Sequence, residues 1–327
     1  MADDSHAIRP VHEGDASTPG GVTSVFVRKR RHSLLTRGDR WVLAAMIVFP
    51  LIIHVALVWG PTLASVLLSF TRWDGIGGIA AIKPVGLENY RNIFTIYPPF
   101  DPALRHNLIW FGFFAILATP FGMFLAVLLD RDVAGSRIYQ SAFYLPVVLS
   151  LAIIGFIAQL IFSPDQGFIN NLIGRTQPND LIDWLGNPSL NLWAVLLVAS
   201  WRQAGYVMIL YVAGLKSVDP TLKEAAAIDG AGEIQSFFRV VFPVLKPINI
   251  VILVITTIEA LRAFDIVYII NKGTNGLELL SVLVTNNIIG EASRIGFGSA
   301  IGTILLVISL SGILTFLYWT FRREAAE

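Results

Sequence analysis

Six long apolar runs set the architecture, because each matches the roughly 20 residues that cross a hydrocarbon core about 30 Å thick. They are Trp41–Trp59, Leu108–Leu129, Ala142–Phe162, Leu192–Leu215, Ile248–Ile270 and Ser299–Phe321. In lipid, a spanning backbone must satisfy its own polar groups, which restricts such runs to helices. The expected fold class is therefore all-α, a polytopic membrane bundle of six transmembrane helices. The first run is open-ended: apolar character resumes after Gly60-Pro61 and continues to Phe70, as a tilted extension or as a helix on the outer surface.

The polar remainder divides the chain into a basic tail (1–40), a first helix with its outer loop (41–106), a core (107–321) and a short terminus (322–327). The tail carries Asp3-Asp4, Pro10, Thr18-Pro19-Gly20-Gly21 and the cluster Arg28-Lys29-Arg30-Arg31. It reads as a disordered topology anchor, and it lacks the apolar h-region of a cleavable signal peptide. Lysine and arginine concentrate in cytoplasmic loops. With the N-terminus inside, 15 of the 24 fall on the inner side and 7 on the outer, while Arg202 and Arg262 lie within runs. Both termini are expected in the cytoplasm, with membrane lipid around the bundle.

Several chemistries are excluded. With no cysteine, disulfides and thiolate-ligated metals are absent, and the five histidines show no metal-ligand spacing. A net charge of +1 carries no nucleic-acid footprint. No G-x-x-x-x-G-K-[ST] occurs, so ATP chemistry must come from a partner. No Ser/His/Asp constellation or H-E-x-x-H is present. Glu259 and Asp265 could suggest an intramembrane aspartyl protease, but Arg262 lies between them, where such a site needs two facing carboxylates.

Those three charges make the fifth run unusual. Its 14 Ile, Leu, Val and Phe residues favour insertion by roughly 4 to 8 kcal/mol, whereas three central charges oppose it by roughly 8 to 10. Its charged face is expected to turn into the bundle or a wet cavity. In the fourth run Arg202 is flanked by Trp201, Gln203 and Tyr206, an apolar face beside donors, which suits a polyhydroxylated ligand. Arg202 could instead simply neutralise Glu259, or Glu259 could pair with Arg262. The candidate solute path comprises Trp201, Arg202, Tyr206, Glu259, Arg262, Asp265 and Tyr144. Gln159, Asn286 and Asn287 are weaker candidates, and His54 reads as a packing residue.

One segment, Ser217–Pro247, is polar between apolar neighbours. Helix formers Glu224–Ala227 lead into the turn signal Asp229-Gly230-Ala231-Gly232, and a short amphipathic piece with Ile234, Phe237, Phe238 and Val241 follows before Pro243 and Pro247. Two short helices joined by a glycine elbow would form a rigid knob for a partner.

Glu224-Ala225-Ala226, Asp229-Gly230-Ala231, Phe238, Val240, Phe242-Pro243 and Pro247 resemble the EAA loop of ABC importer permeases, with valine and phenylalanine where isoleucine and leucine are usual. Ser69-Phe70-Thr71-Arg72-Trp73, Pro164–Asn170, Trp184–Pro188, Phe264–Tyr268 and Gly296–Ala300 narrow the resemblance to the carbohydrate subfamily, of maltose and glycerol-phosphate type. It covers about Val42 to Phe321. The chain departs from it after Tyr268, where Ile270-Asn271-Lys272-Gly273-Thr274-Asn275 replaces the usual T-x-G-G-P.

The resemblance implies a type I importer fold and a non-enzymatic permease subunit. Its partners would be a second homologous permease (a heterodimer), a dimeric ATPase that holds ATP and Mg, and an extracytoplasmic sugar-binding protein. Glu224, Ala225, Ala226, Asp229, Gly230, Ala231, Phe238 and Pro243 would couple to the ATPase. The alternatives are a permease for a phosphorylated polyol such as glycerol 3-phosphate, or a membrane hydrolase or channel.

Overall fold

The computed structural model describes residues 36–130, 135–290 and 293–324. Most of the predicted tail, with its Arg28–Arg31 cluster, lies outside the described residues. The chain separates into two units, one ending at Val55 and one beginning at Ala56. The first contains α1 (Arg37–His54), opened by a capping box. The Thr36 hydroxyl accepts from the Asp39 N–H at 3.1 Å, and the Asp39 carboxylate accepts from the Thr36 N–H at 2.8 Å.

In the second unit α2 (Gly60–Leu68) leads into a minimal antiparallel hairpin of β1 (Thr71–Arg72) and β2 (Lys83–Pro84). Next come α3 (Glu88–Thr95) and α4 (Phe100–Phe113), which runs through a π turn at Phe114–Ala118 into α5 (Thr119–Asp130). Then follow α6 (Ser136–Val148), α7 (Leu151–Ile161), α8 (Phe168–Leu172), α9 (Asn191–Ser217), α10 (Pro220–Ile228) and α11 (Glu233–Ser236). A further π turn, Phe237–Val241, joins α11 to α12 (Phe242–Val244). The chain finishes with α13 (Lys246–Leu261), α14 (Asp265–Asn271), α15 (Leu280–Ile288) and α16 (Ile295–Glu324). The unit boundary divides the segment 41–106 that the sequence presents as one piece, because α2, β1 and α3 pack against α16.

The centre is α9, buried along much of its length and packed by α4, α5, α6, α7, α13 and α14. It meets α6 closely at Gly205, where a β-carbon would stand 2.3 Å from the Phe143 carbonyl oxygen. One apolar cluster joins α4, α7, α9 and α14 through Trp110, Ile154, Leu196 and Val267, and another joins α5, α9 and α13 through Leu125, Met208, Val212 and Ile252.

Four helices are long and apolar enough to cross a membrane: Gly38–Leu68, Phe100–Asp130, Asn191–Ser217 and Ile295–Thr320. Counting each bent pair as one span gives up to six among the described residues. Two runs differ from single straight helices. The third bends by 101° between α6 and α7. There Leu149 is extended and the Ser150 hydroxyl caps α7, accepting from the Ile153 N–H at 3.3 Å. The fifth opens at Arg262–Phe264, so Glu259, Arg262 and Asp265 do not continue one helical face.

Open backbone at this depth persists only where neighbours satisfy it. Asn107 Nδ2 donates to the Ala260 carbonyl at 3.2 Å, and the Ser281 hydroxyl donates to the Ala263 carbonyl. Gln159 Nε2 donates to the carbonyls of Ile269 and Ile270 at 3.1 and 3.3 Å, closing the far end of α14. Gln159 thus serves the backbone of α14.

Candidate functional site

The break in the fifth run opens onto a cavity of about 80 Å³ between α4, α7, α9, α13 and α14. Arg202, Glu259, Arg262 and Asp265 line it, with Gln203, Trp110 and Phe264. Arg202 Nη1 donates to Glu259 Oε2 at 3.3 Å, with both side chains mostly covered, at 23% and 31% exposure. A part-buried pair of this kind is held by its partners: removing one member strands the other charge in a poor solvent. Beneath it Gln203 Nε2 donates to Thr256 Oγ1 at 3.2 Å, and the Thr256 and Thr119 hydroxyls meet at 3.4 Å. This polar rung pins α5, α9 and α13 in register.

The pairing does not exhaust the cavity's hydrogen-bonding capacity. Arg202 Nε and Trp110 Nε1 are buried without an acceptor among the described residues. Arg262 and Asp265 are exposed at the break. Donors and carboxylates therefore converge on one space, but its volume suits a few waters and not a sugar ring. Of the predicted path residues, Trp201 is 42% exposed and does not line the cavity. Tyr206 also lies off it, and Tyr144 packs against the cluster around Met208. Trp110 escaped the sequence reading because a tryptophan inside an apolar run carries no sign of which way its N–H points.

The other weak candidates have structural partners. Asn287 sits on α15 and donates from Nδ2 to the Tyr97 hydroxyl at 2.9 Å, and Asn286 donates to the Lys272 carbonyl at 3.4 Å. His54 is exposed in the last turn of α1. Where the chain departs from T-x-G-G-P, Asn275 Nδ2 donates to the Gly186 carbonyl at 2.7 Å, and Asn191 Nδ2 to the Asn275 carbonyl at 2.6 Å. The substituted loop is thus tied to the start of α9.

The segment from Ser217 to Pro247 folds as two short helices and an elbow. Asp219 caps α10, accepting from the Thr221 N–H at 2.9 Å, and that bond holds its carboxyl below the usual carboxylate range. The C-terminus of α10 closes with paired bonds, from the Ala231 N–H to the Ala226 carbonyl at 2.9 Å and from the Gly230 N–H to the Ala227 carbonyl at 3.0 Å. This Schellman closure needs a left-handed residue after the cap. Gly230 supplies it at φ +81°.

Within this segment Ala226 is buried and Ala231 half-buried, whereas Glu224, Ala225, Asp229, Gly230, Phe238 and Pro243 are exposed. Around them Ile228, Ile234 and Phe238 are 86%, 77% and 57% exposed, an apolar patch that none of the described residues covers. The rings of Phe237, Phe238 and Phe242 pack mutually at 5.1 to 6.3 Å. Lys223 Nζ donates to Asp130 Oδ2 at 3.1 Å, tying α10 to the end of α5. Sequence alone offered both charges but not their meeting.

Comparisons with known proteins agree with this geometry. The chain is 31% identical over 280 residues to the xylose/arabinose import permease protein XacH of Haloferax volcanii, covering 84% of this chain and 86% of that one. It is 29% identical over 305 residues to the arabinooligosaccharides transport system permease protein AraP of Halalkalibacterium halodurans, covering 91% and 94%. In fold it is similar to a chain of a bacterial ABC transporter involved in the import of the acidic polysaccharide alginate. The TM-score is 0.74 at 22% identity, over 87% of this chain and 96% of that one. The profile of the binding-protein-dependent transport system inner membrane component family matches residues 118–324, and with these similarities the chain belongs to that family, as a permease subunit and not an enzyme.

Proposed function

We propose that this permease forms the translocation path for a sugar, mono- or oligosaccharide, in an ATP-driven importer. The observation that carries the proposal is the pairing of a rigid, apolar-tipped elbow with a polar cavity in the same helical unit. The elbow is a grip for a separate ATPase dimer, which holds ATP and Mg. The charge distribution supports a cytoplasmic elbow and cytoplasmic termini. Once the space widens, the cavity's mixed donors and carboxylates would complement a polyhydroxylated solute, and relatives named for xylose, arabinose and arabinooligosaccharides support that class. A second, homologous permease would complete the path, and an extracytoplasmic binding protein would deliver the solute.

Mechanically, closure of the ATPase dimer displaces α10 and α11. The Lys223–Asp130 pair passes that motion to α5, and the cluster around Leu245 and Ile252 passes it to α13. The cavity between α9 and α13 then widens or closes.

ATP-dependent uptake of labelled xylose, arabinose and their oligomers into proteoliposomes tests the whole reading. Uptake should require the ATPase and the binding protein, and the purified chain should hydrolyse no ATP. No uptake of any sugar by a complete, ATP-hydrolysing assembly would refute it. Arg202→Ala should raise the transport KM about tenfold or more, since it removes a donor and strands Glu259. Unchanged kinetics would assign the pair a purely structural role. Lys223→Ala should lower the number of solutes carried per ATP, because α10 can then move without α5. The exchanged pair Lys223→Asp with Asp130→Lys should recover part of that coupling, and equal coupling in all three forms would exclude the strut.

A further inference from the structure

A cavity of about 610 Å³ in the second unit lies at the end of the bundle opposite the elbow. It is lined by the β1–β2 hairpin, the residues around α3 and the first turn of α16. Three elements of candidate spans meet there. Helix α2 ends at Leu68 just before Arg72, α4 begins at Phe100 just after Ile96 and Tyr97, and α16 begins at Ile295 beside Arg294. A cavity within a turn of three span ends sits at the depth of lipid headgroups, where tryptophan and tyrosine also concentrate. Trp73 and Tyr97 line it.

Its charges are unevenly matched. Arg72 is paired with Glu88. Lys83 has no ion pair among the described residues. Arg294 is held over the rings of Phe297 and Tyr97, with its guanidinium carbon 4.9 and 5.8 Å from their centroids. Its side-chain hydrogen bond, 2.9 Å from Nη2, goes to the neutral Asn287 Oδ1. The guanidinium is therefore rigid and charged, with donors left over. Asp74 turns one carboxylate oxygen to the Ile76 N–H at 2.9 Å. The hairpin is fixed to α16 by the bond from the Gly296 N–H to the Trp73 carbonyl at 3.2 Å. Around this cationic hollow the hairpin tip exposes Ile76 at 72% and Ile79 at 86%, and α2 exposes Leu67 at 70%.

We propose that this cavity binds the phosphodiester headgroup of an anionic phospholipid. Lys83 and Arg294 receive the phosphate, Trp73 lies beside the glycerol, and the isoleucines and Leu67 meet the acyl chains. The charge-assisted bonds favour an anion, and the apolar rim favours one that carries hydrocarbon.

The test uses the full-length chain in nanodiscs of equal phosphatidylglycerol and phosphatidylcholine with matched acyl chains. Bound lipid is counted by native mass spectrometry after detergent extraction. Phosphatidylglycerol should be enriched about fivefold per cation engaged. Lys83→Gln, at an exposed and unpaired position, should lose about that factor without changing the melting temperature, and Lys83→Arg should keep it. Arg294→Gln should lose it as well, read only if the variant melts as the parent does. Equal retention of both lipids by the parent, or undiminished enrichment in Lys83→Gln, overturns the proposal. Displacement of the lipid by millimolar inorganic phosphate or glycerol phosphate would reassign the site to a free phosphate. Lys83→Gln losing only stimulation by a binding protein, with lipid retained, would make it a protein-docking socket.

Discussion

Gly230→Pro should reduce sugar uptake to background while the subunit remains at its normal level in the membrane. Proline locks φ near −65° and has no N–H, whereas this position sits at φ +81° and donates to Ala227 at 3.0 Å. The Schellman closure of α10 is lost, and the angle between α10 and α11 is no longer set. The surroundings are open, with nothing within 4 Å of where a β-carbon would stand, so the damage stays at the elbow. Gly230→Ala separates backbone from bulk: it keeps the N–H and meets no neighbour, but costs about 1–2 kcal/mol for a left-handed β-carbon. Its uptake should fall between parent and proline variant. Transport at the parental rate by Gly230→Pro, measured with ATP hydrolysis in the same proteoliposomes, would remove the elbow from the coupling path.

Gly205→Val should act on the fold itself. A β-carbon there would stand 2.3 Å from the Phe143 carbonyl oxygen and 3.2 Å from Val147 Cγ2, so α9 and α6 must separate along their crossing. Overpacking in a close-packed interior costs typically about 1–3 kcal/mol, and backbone on one side leaves little room to yield, so the upper end applies. The expected result is a melting temperature lower by on the order of 5–10 °C, with reduced membrane yield. Because α9 also carries Arg202 and Gln203, the surviving protein should show poorer solute affinity. A parental melting curve would mean that the two helices do not cross at Gly205.

The spans were legible because hydropathy is a local property. Asn191–Ser217 and Ile295–Thr320 contain the runs read at Leu192–Leu215 and Ser299 onward almost residue for residue. The bends were not. Ser150 within Ala142–Phe162 and Ala263 within Ile248–Ile270 look unremarkable in a hydropathy pattern. The first break is capped by the Ser150 hydroxyl itself, and the second is made tolerable by Asn107, Ser281 and Gln159 on other elements. The elbow was legible for the same local reason as the spans. Asp219, Pro220 and Gly230 are capping chemistry written within a dozen residues.

The candidate solute path divides along the same line. That Arg202, Glu259, Arg262 and Asp265 must avoid lipid follows from residue type and run length, since a charge facing hydrocarbon costs several kcal/mol. That Arg202 meets Glu259 while Arg262 and Asp265 stand exposed at a helix break depends on the rotation of α9 against α13. The chain's own order therefore dictated a membrane bundle with a polar elbow and buried charge, because span length, capping and insertion cost are summed over neighbours along the chain. The partner of each charge, the Trp110 N–H left without an acceptor among the described residues, and the cationic hollow beside Lys83 and Arg294 arose from packing, because each depends on residues that lie far apart in sequence.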